Sequence, residues 1–363
     1  MGIKVKGKAI LWLISTVLSL SLAGLSGWTI KLHHDDQNIP SENLIGNKVT
    51  NIRVLKEKGF PFSFLVIGDT HNSNRATALI KRALKAGEFS FMVILGDFVN
   101  NPDIRQHLFF VKKMAGEIKP PFPVFLVPGN HDIDYDSKVK QIERRVTPEI
   151  YESLHGPRNF SFVFNQCLFV ICGIDPRNRE SYLDYLRKTL SDQGKGKRHI
   201  FVFMHNPPKG VGMAGSFPLP NEKQFFSLLE TYQVTSCFFG DFHGYWRSQR
   251  RGTNLIVSGG GGLMKEWQPL WGKFHHIMRI TVDEDMITEG IITLPGEVIS
   301  FSGTLEKWLF IQVFPVVKDR GWIFYSLLII FLFWAIYSVV HLATFSRWGR
   351  GQPKNLKGGQ EGI

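Results

Sequence analysis

Two long apolar runs, one near each end, limit this chain more than any other feature. Residues 9–30 contain no charged side chain, and Lys4, Lys6 and Lys8 stand immediately before them. A second run starts at Trp322, stays uncharged through Val340 and reaches Phe345 with His341 as its only titratable group; Arg347, Arg350, Lys354 and Lys357 follow. At about 1.5 Å per residue, either run reaches across a hydrocarbon core of roughly 30 Å. Both basic clusters lie on the side facing a chain terminus, so the positive-inside bias places both termini in the cytoplasm and the intervening chain on the far face. Trp28, Trp322 and Tyr325 fall near the outer ends of the runs, and Trp12 and Trp348 near the inner ends, as aromatic anchors do. The alternative for the first run is a cleavable signal peptide, given the small residues Ser21, Ala23 and Gly24. The length of the run and the lack of an A-x-A site favour an uncleaved anchor. For the second, the alternative is a buried core helix. Residues 327–340 are apolar nearly all round, Ser338 being the main exception, which suits lipid better.

This topology accounts for half of the charge. Lys and Arg total 43 against 31 Asp and Glu, a net charge of +12 that invites a nucleic-acid reading. Residues 1–30 hold three lysines and no acid, and residues 321–363 hold four basic residues and Glu361, so each end carries +3. The remaining +6 is spread over residues 31–320 with no long basic block. The short clusters, Arg144-Arg145 and Arg247 with Arg250-Arg251, read as solvated faces, and no nucleic-acid partner is specifically implied. An apolar fraction of 44% excludes a disordered chain. Three cysteines exclude a disulfide-stapled scaffold. Cys167 and Cys172, five apart in one apolar run, face opposite sides of a strand and cannot pair with each other.

The expected organisation is a cytoplasmic N-terminus (1–8), a transmembrane helix (9–30), a linker (31–60), one globular domain (61–300), a second linker (301–320), a transmembrane helix (321–345) and a basic cytoplasmic tail (346–363). Within the domain, apolar runs predict strands at 62–67, 91–95, 122–127, 160–164, 168–172, 199–204, 234–239, 254–257, 275–282 and 286–292. Helical spacing predicts helices from Ala76 to Leu84, around 109–114, at 179–190 and at 221–232. Strands and helices alternate first and strands dominate later, so the fold class is α/β with a mixed sheet system.

Five of these strands end in polar turns. They read Gly68-Asp69-Thr70-His71, Gly96-Asp97-Phe98-Val99-Asn100, Gly129-Asn130-His131-Asp132, His205-Asn206-Pro207-Pro208 and Gly240-Asp241-Phe242-His243-Gly244. Any one of them could be a plain turn or a helix cap. Together they form a set, because loops beyond strand carboxyl ends share one crevice in an open α/β sheet. Carboxylates, imidazoles and one amide without thiolate suit Mn, Fe or Zn. Seven such groups are too many for one octahedral ion. They suit two ions sharing a carboxylate, a standard device for phosphoester hydrolysis.

The motif series resembles that of the calcineurin-like metallophosphoesterase superfamily: D-x-H, G-D, G-N-H-D, a lone His and G-H-x-H, four of them intact over roughly residues 62–294. The resemblance implies a sandwich of two mixed β-sheets flanked by helices. It implies that Asp69, His71 and His243 hold one metal, that Asn130 and His205 hold the other, and that Asp97 bridges both. His131 would stabilise or protonate the leaving oxygen while a metal-bridging hydroxide attacks phosphorus in line. Two positions depart from the pattern. The last motif begins with Asp241, which either ligates the second metal and favours Mn or Fe over Zn, or turns away and leaves that metal weakly held. Asn100 stands where some branches carry an acid that orients the catalytic histidine; an amide can still hydrogen-bond His131, and Asp132 could be a separate partner. The glycine run 259–262 would let backbone pass close to the site, and 210–215 reads as a surface loop beside His205.

The implied protein is a membrane-anchored phosphoesterase with two divalent metal ions. Its substrate is a phosphomonoester or phosphodiester, either a small molecule or a lipid head group. It would sit on the periplasmic face of the inner membrane if the source is bacterial. Oligomeric state is open. The alternative is a catalytically degenerate sensor or scaffold on the same fold, with Asp241 as its motive.

Overall fold

The computed structural model describes residues 2–38, 43–57, 59–212, 219–264, 269–294, 298 and 300–350; in the terminal helices, side chains are described within residues 7–38 and 308–344. Lys354, Lys357, Glu361 and residues 213–215 of the predicted surface loop therefore lie outside the described residues. The chain divides into two units, Met1–Asn38 with Trp308–Ile363, and Ile39–Lys307.

The larger unit is a sandwich of two mixed sheets. One sheet runs β11 (Ile287–Thr293), β10 (His276–Val282), β1 (Phe62–Ile67), β2 (Met92–Ile94) and β3 (Val124–Leu126). Strands β1, β2 and β3 are parallel, and β10 is antiparallel to β1 with Phe64 opposite Ile280. The other sheet runs β4 (Phe160–Phe164), β5 (Cys167–Ile171), β6 (Ile200–Phe203), β7 (Ser236–Phe239), β9 (Thr253–Ser258) and β8 (Tyr245–Arg250). Here β5, β6, β7 and β9 are parallel.

The period-2 geometry of a strand sorts the side chains. Along β1, Phe62, Phe64 and Val66 enter the core between the sheets, while Leu65 and Ile67 face the helix-covered side. Along β5, Cys167, Phe169 and Ile171 face the inter-sheet core, and Leu168, Val170 and the following Cys172 face the opposite layer. The two cysteines are thus on opposite faces; both, with Cys237, are free and buried. Phenylalanine dominates the inter-sheet core. Phe169 stacks on Phe162 and Phe201 with ring centroids 5.0 and 5.1 Å apart and meets Phe91 edge-on at 5.0 Å. A fully buried ring of this kind contributes roughly 1.5–3 kcal/mol, so this layer fixes how the two sets of strand ends face each other.

Helices α3 (Asn74–Lys85), α4 (Ile104–Val111), α5 (Pro148–His155), α6 (Ser181–Gln193) and α7 (Glu222–Thr231) belong to this unit. Helix α3 starts where the Ser73 hydroxyl accepts from the Ala76 N–H at 3.0 Å, and it buries Ala76, Leu79, Ile80 and Ala83. All ten predicted strands are present, with ends shifted by a residue or two. Strand β8 was not among them, because Tyr245–Arg250 is a polar edge strand without an apolar run.

The expected linkers also need revision. The first helix, α1 (Gly2–Gln37), extends past residue 30, and α2 (Val49–Val54) is a short helix. Asn47 is buried and bonds the Leu126 backbone in both directions, its amide donating at 2.7 Å and its carbonyl accepting at 3.0 Å. The segment expected to start the second linker is instead helix Phe301–Trp308.

In the smaller unit, Gly2–Gln37 and Trp322–Arg350 each contain a stretch long and apolar enough to cross a membrane, with mean hydropathies of 1.9 and 2.4. Thr16, Ser19, Ala23, Ser26 and Thr29 form the buried stripe of the first helix, at spacings of three and four. Ser15 and Ser338 hydroxyls meet at 3.0 Å, and the Trp334 indole donates to Ser15 at 2.9 Å. Small residues and hydroxyl contacts are how helices associate where lipid removes the hydrophobic drive.

Candidate metal centre

The carboxyl ends of β1, β2, β3, β6 and β7 meet at one edge of the sandwich, and each turn delivers its polar residues there. Asp69, His71, Asp97, Asp241 and His243 all have left-handed backbone, with φ of 53, 47, 50, 60 and 56°. Such conformations cost of order 1–3 kcal/mol each outside glycine and concentrate at functional sites. Hydrogen bonds hold them: Asp69 N–H donates to Gly96 O at 3.1 Å, His71 N–H to Asp97 O at 2.9 Å and Asn72 N–H to Phe98 O at 2.9 Å, stitching the first turn to the second.

Asp69, His71, Asp97 and His243 are buried and offer ligand atoms within 4.8 Å of one another, so they could hold a metal ion. His71 Nε2 is buried with no hydrogen-bond partner, as expected of a nitrogen kept for a cation. A second group gathers about His205 Nε2, which lies 3.1 Å from Asn130 Oδ1, 3.4 Å from Asp97 Oδ2 and 3.9 Å from Asp241 Oδ1. Asp97 therefore stands between the two groups. Tautomers follow from second contacts: His205 Nδ1 donates to Leu95 O at 2.7 Å and His243 Nδ1 to Leu263 O at 3.0 Å, leaving both Nε2 atoms for the centre.

Asp69, Asp97, Asp132 and Asp241 are all buried in or beside this small volume, and buried carboxylates need compensating cations. Burial pushes the His71 imidazole down to about 4, which keeps it neutral and able to ligate. Burial also disfavours charge on His205, but the Asp97, Asp69 and Asp241 carboxylates outweigh it and raise that group. Asp97 is held below the usual carboxylate range: burial opposes its ionisation, and His205, His131 and His71 overcome that. The donor set, the orphaned nitrogen and the surplus of buried acid all fit bound divalent cations.

His131 is placed differently. Its side chain is 40% exposed, and its Nε2 lies 3.9 Å from Asp97 Oδ2, at the rim of the centre. Its N–H donates to Asp97 Oδ1 at 2.9 Å, and Nδ1 donates to the backbone carbonyl of Asn100 at 2.7 Å. The expected amide contact from Asn100 is therefore replaced by a main-chain one. Asp132 accepts from the N–H groups of Gly129, Asp97, Phe98 and Val99 at 2.7–3.3 Å, fixing the turn that carries Asp97. Burial and the facing Asp97 carboxylate push the Asp132 carboxyl upward.

Two glycines are required by close approach. A Cβ on Gly129 would collide with Asp97 Oδ1, and one on Gly259 with Asp69 Oδ2. The glycine run after β9 does pass beside the site. Phe242 is buried packing, and Tyr245 and Trp246 are half-buried on β8.

A cavity of about 100 Å³ adjoins Asn130 and is lined by Tyr135, Lys138, Ile174, Arg179 and Asn206. Sequence reading missed Lys307, whose Nζ reaches the carbonyls of His71 and Asn72 and whose ammonium burial pushes down to about 8. Its contacts on the His71 turn are to main-chain atoms, so no motif marks it.

This fold and this donor set define a metallophosphoesterase architecture. The calcineurin-like phosphoesterase family model matches residues 62–245, and the chain belongs to that family. It is 25% identical over 170 residues to a probable cyclic nucleotide phosphodiesterase of Xenorhabdus bovienii, a match covering 46% of this chain and 65% of that relative, just under two thirds of its length. Among solved structures, a dimetal phosphatase from Danio rerio aligns at 15% identity and TM-score 0.47 over 63% of this chain and 95% of that one. Purple acid phosphatase PPD1 from yellow lupin (Lupinus luteus) aligns at 14% identity and TM-score 0.46 over 65% of this chain and 52% of that one.

Proposed function

We propose that the chain is a membrane-anchored phosphoesterase with two divalent metals, hydrolysing a phosphomonoester or phosphodiester. The observation that carries this reading is the position of Asp97, whose carboxylate is grouped with Asp69, His71 and His243 on one side and lies 3.4 Å from His205 Nε2 on the other. On this reading Asp69, His71 and His243 would hold one ion, Asn130, His205 and Asp241 would hold the other, and Asp97 would be available to both. Mn or Fe suits three carboxylates better than Zn. Bound there, the ions supply a lowered water pKa and offset charge on the phosphoryl oxygens.

The chain's own residues do the rest. His131 sits at the accessible rim with Nδ1–H tied to Asn100 O, so Nε2 is the atom that gives its proton to the leaving oxygen. Asp132 keeps the Asp97 turn rigid through four N–H bonds. Lys138 and Arg179, lining the cavity beside Asn130, offer positive charge to the non-reacting part of the substrate. The relative named as a probable cyclic nucleotide phosphodiesterase makes a cyclic nucleotide one substrate to try. The two apolar helices make a lipid head group another. The scaffold reading rested on Asp241, and that side chain faces His205.

The test is a screen of the full chain, loaded with Mn, over cyclic nucleotides, phospholipids and sugar phosphates, with His131→Ala as the blank. Loss of a general acid is expected to lower kcat by about 10²–10⁴-fold with metal content unchanged. Equal turnover by both proteins would end the catalytic assignment, and a wild-type chain that retains one ion or none would favour the scaffold.

A further inference from the structure

The turn that carries His71 is tied to a segment well outside the matched family region. Helix Phe301–Trp308, α8 here, brings Lys307 against it, with Nζ 3.1 Å from the His71 carbonyl and 3.4 Å from that of Asn72. Asn100 completes the contact. With its amide oriented to satisfy its neighbours, Nδ2 donates to His71 O at 2.8 Å and Oδ1 accepts from Lys307 Nζ at 2.9 Å. The three donors of one ammonium thus have three oxygens to meet. The main-chain carbonyl of the same Asn100 accepts from His131 Nδ1 at 2.7 Å.

The need for such a tie follows from the backbone. His71 and Asn72 are consecutive left-handed residues, with φ of 47 and 51°. That conformation persists in non-glycine residues only where surroundings over-determine it. The N–H groups of this turn are held by Asp97 O and Phe98 O, and Lys307 and Asn100 hold its carbonyls. Helix α8 is itself anchored: Glu306 pairs with Lys112 and Lys113, and Asn74 Nδ2 donates to Ser300 O at 3.4 Å. The identity of residue 100 also follows. An asparagine can donate to His71 O and accept from Lys307 at once, whereas a carboxylate would set an acceptor against the His71 carbonyl.

We propose that Lys307 is a positioning residue of the phosphoesterase site: by bridging the His71 and Asn72 carbonyls and the Asn100 amide, it sets the His71 imidazole and the carbonyl that orients His131. This rests on the metallophosphoesterase reading above. Asn100 is then a connector between Lys307 and the centre, and restoring an acid there should harm the site.

The experiment measures Mn binding to metal-stripped full-length protein in detergent by equilibrium dialysis, beside the metal-free melting temperature. Lys307→Met is expected to weaken Mn binding about 10–100-fold, the range found when groups supporting a metal ligand are removed, with the metal-free melting temperature unchanged. Lys307→Arg should recover most of the affinity, and Asn100→Asp should weaken binding. The double variant Lys307→Met/Asn100→Ala should bind no more weakly than the worse single one, because the two act through one contact. Should Lys307→Met not accumulate as folded protein, Asn100→Ala carries the same test with the same expected loss. Wild-type affinity in these variants overturns the proposal, as does a loss of affinity that only follows a fall in the metal-free melting temperature. A wild-type chain that binds no Mn overturns the phosphoesterase reading along with it, whereas wild-type binding with indifferent variants overturns the positioning role alone.

Discussion

At the scale of single residues, the candidate site was legible wherever ligand-type side chains close a strand. The candidates Asp69, His71, Asp97, Asn130, Asp241 and His243 stood out because an apolar run followed by glycine and a ligand-type residue has a physical meaning in sequence, and His205 because it closes an apolar run directly. The ties that hold them were not legible. His131 is oriented by the main chain of Asn100, and Lys307 acts on main-chain oxygens; a carbonyl has no letter of its own. On the proposed two-metal reading, Asp241 is the residue on which the second metal position turns. Its carboxylate lies 3.9 Å from His205 Nε2 and is buried, so removing it should empty that position while sparing the other. Asp241→Ala is expected to lower Mn content from about two equivalents to about one, measured by elemental analysis after gel filtration. Asp241→His removes a negative charge and adds a borderline donor, and should shift the preferred ion from Mn towards Zn. Full Mn content in the alanine variant would mean that Asp241 is not a ligand.

At the scale of elements, strands were read well because burial on both faces leaves continuous apolar runs, and the phenylalanine layer between the sheets is made of such runs. Reading failed where burial does not dominate. Strand β8 is an edge strand, and α8 is a short helix without a buried residue, held through the polar contacts of Glu306 and Lys307. Helix α5, Pro148–His155, also escaped, and with α4 it encloses a buried histidine pair. His107 Nδ1 and His155 Nε2 lie 2.9 Å apart, with Phe98 against both rings. Burial lowers His107 to about 3 and holds His155 well below its usual value. An unfolded chain titrates these rings near 6.5. Between about pH 6.5 and 3, therefore, the unfolded state binds protons that the folded state refuses. Stability is full above that window and falls with pH through it, by about 1.4 kcal/mol per pH unit for each such proton. His107→Gln keeps a donor and an acceptor but cannot take a charge, so its unfolding midpoint should fall less steeply with acidification than that of the wild type. Parallel profiles for the two proteins, from chemical denaturation between pH 7 and 4, would show that this pair is not an acid-sensitive element.

At the scale of the whole molecule, the charge and the apolar helices belong to one argument. Half of the +12 lies on the terminal sides of the two apolar runs, and the larger unit holds the buried acids Asp69, Asp97, Asp132 and Asp241. Water-soluble proteins rarely expose a helix like Trp322–Arg350, on which Ile329, Phe333, Ile336 and Val340 are all exposed. In lipid the same face is in its own solvent. If the two helices span, the Ser15–Ser338 contact and the Trp12 ring stacked 4.7 Å from His341 would be polar and aromatic ties between them. The proposed topology has both termini in the cytoplasm and residues 39–307 outside it. A fluorescent protein fused after Ile363 should therefore fluoresce, because its fold matures in the cytoplasm. Protease added to intact spheroplasts should cleave within the larger unit and leave that fusion whole. A dark fusion at the C-terminus, together with a protease-resistant larger unit, would invert the topology and place the phosphoesterase site on cytoplasmic substrates. On this proposal the lysines before the first run and the arginines after the second set the orientation, so replacing Lys4, Lys6 and Lys8 by Gln should produce a mixed population in the same assay.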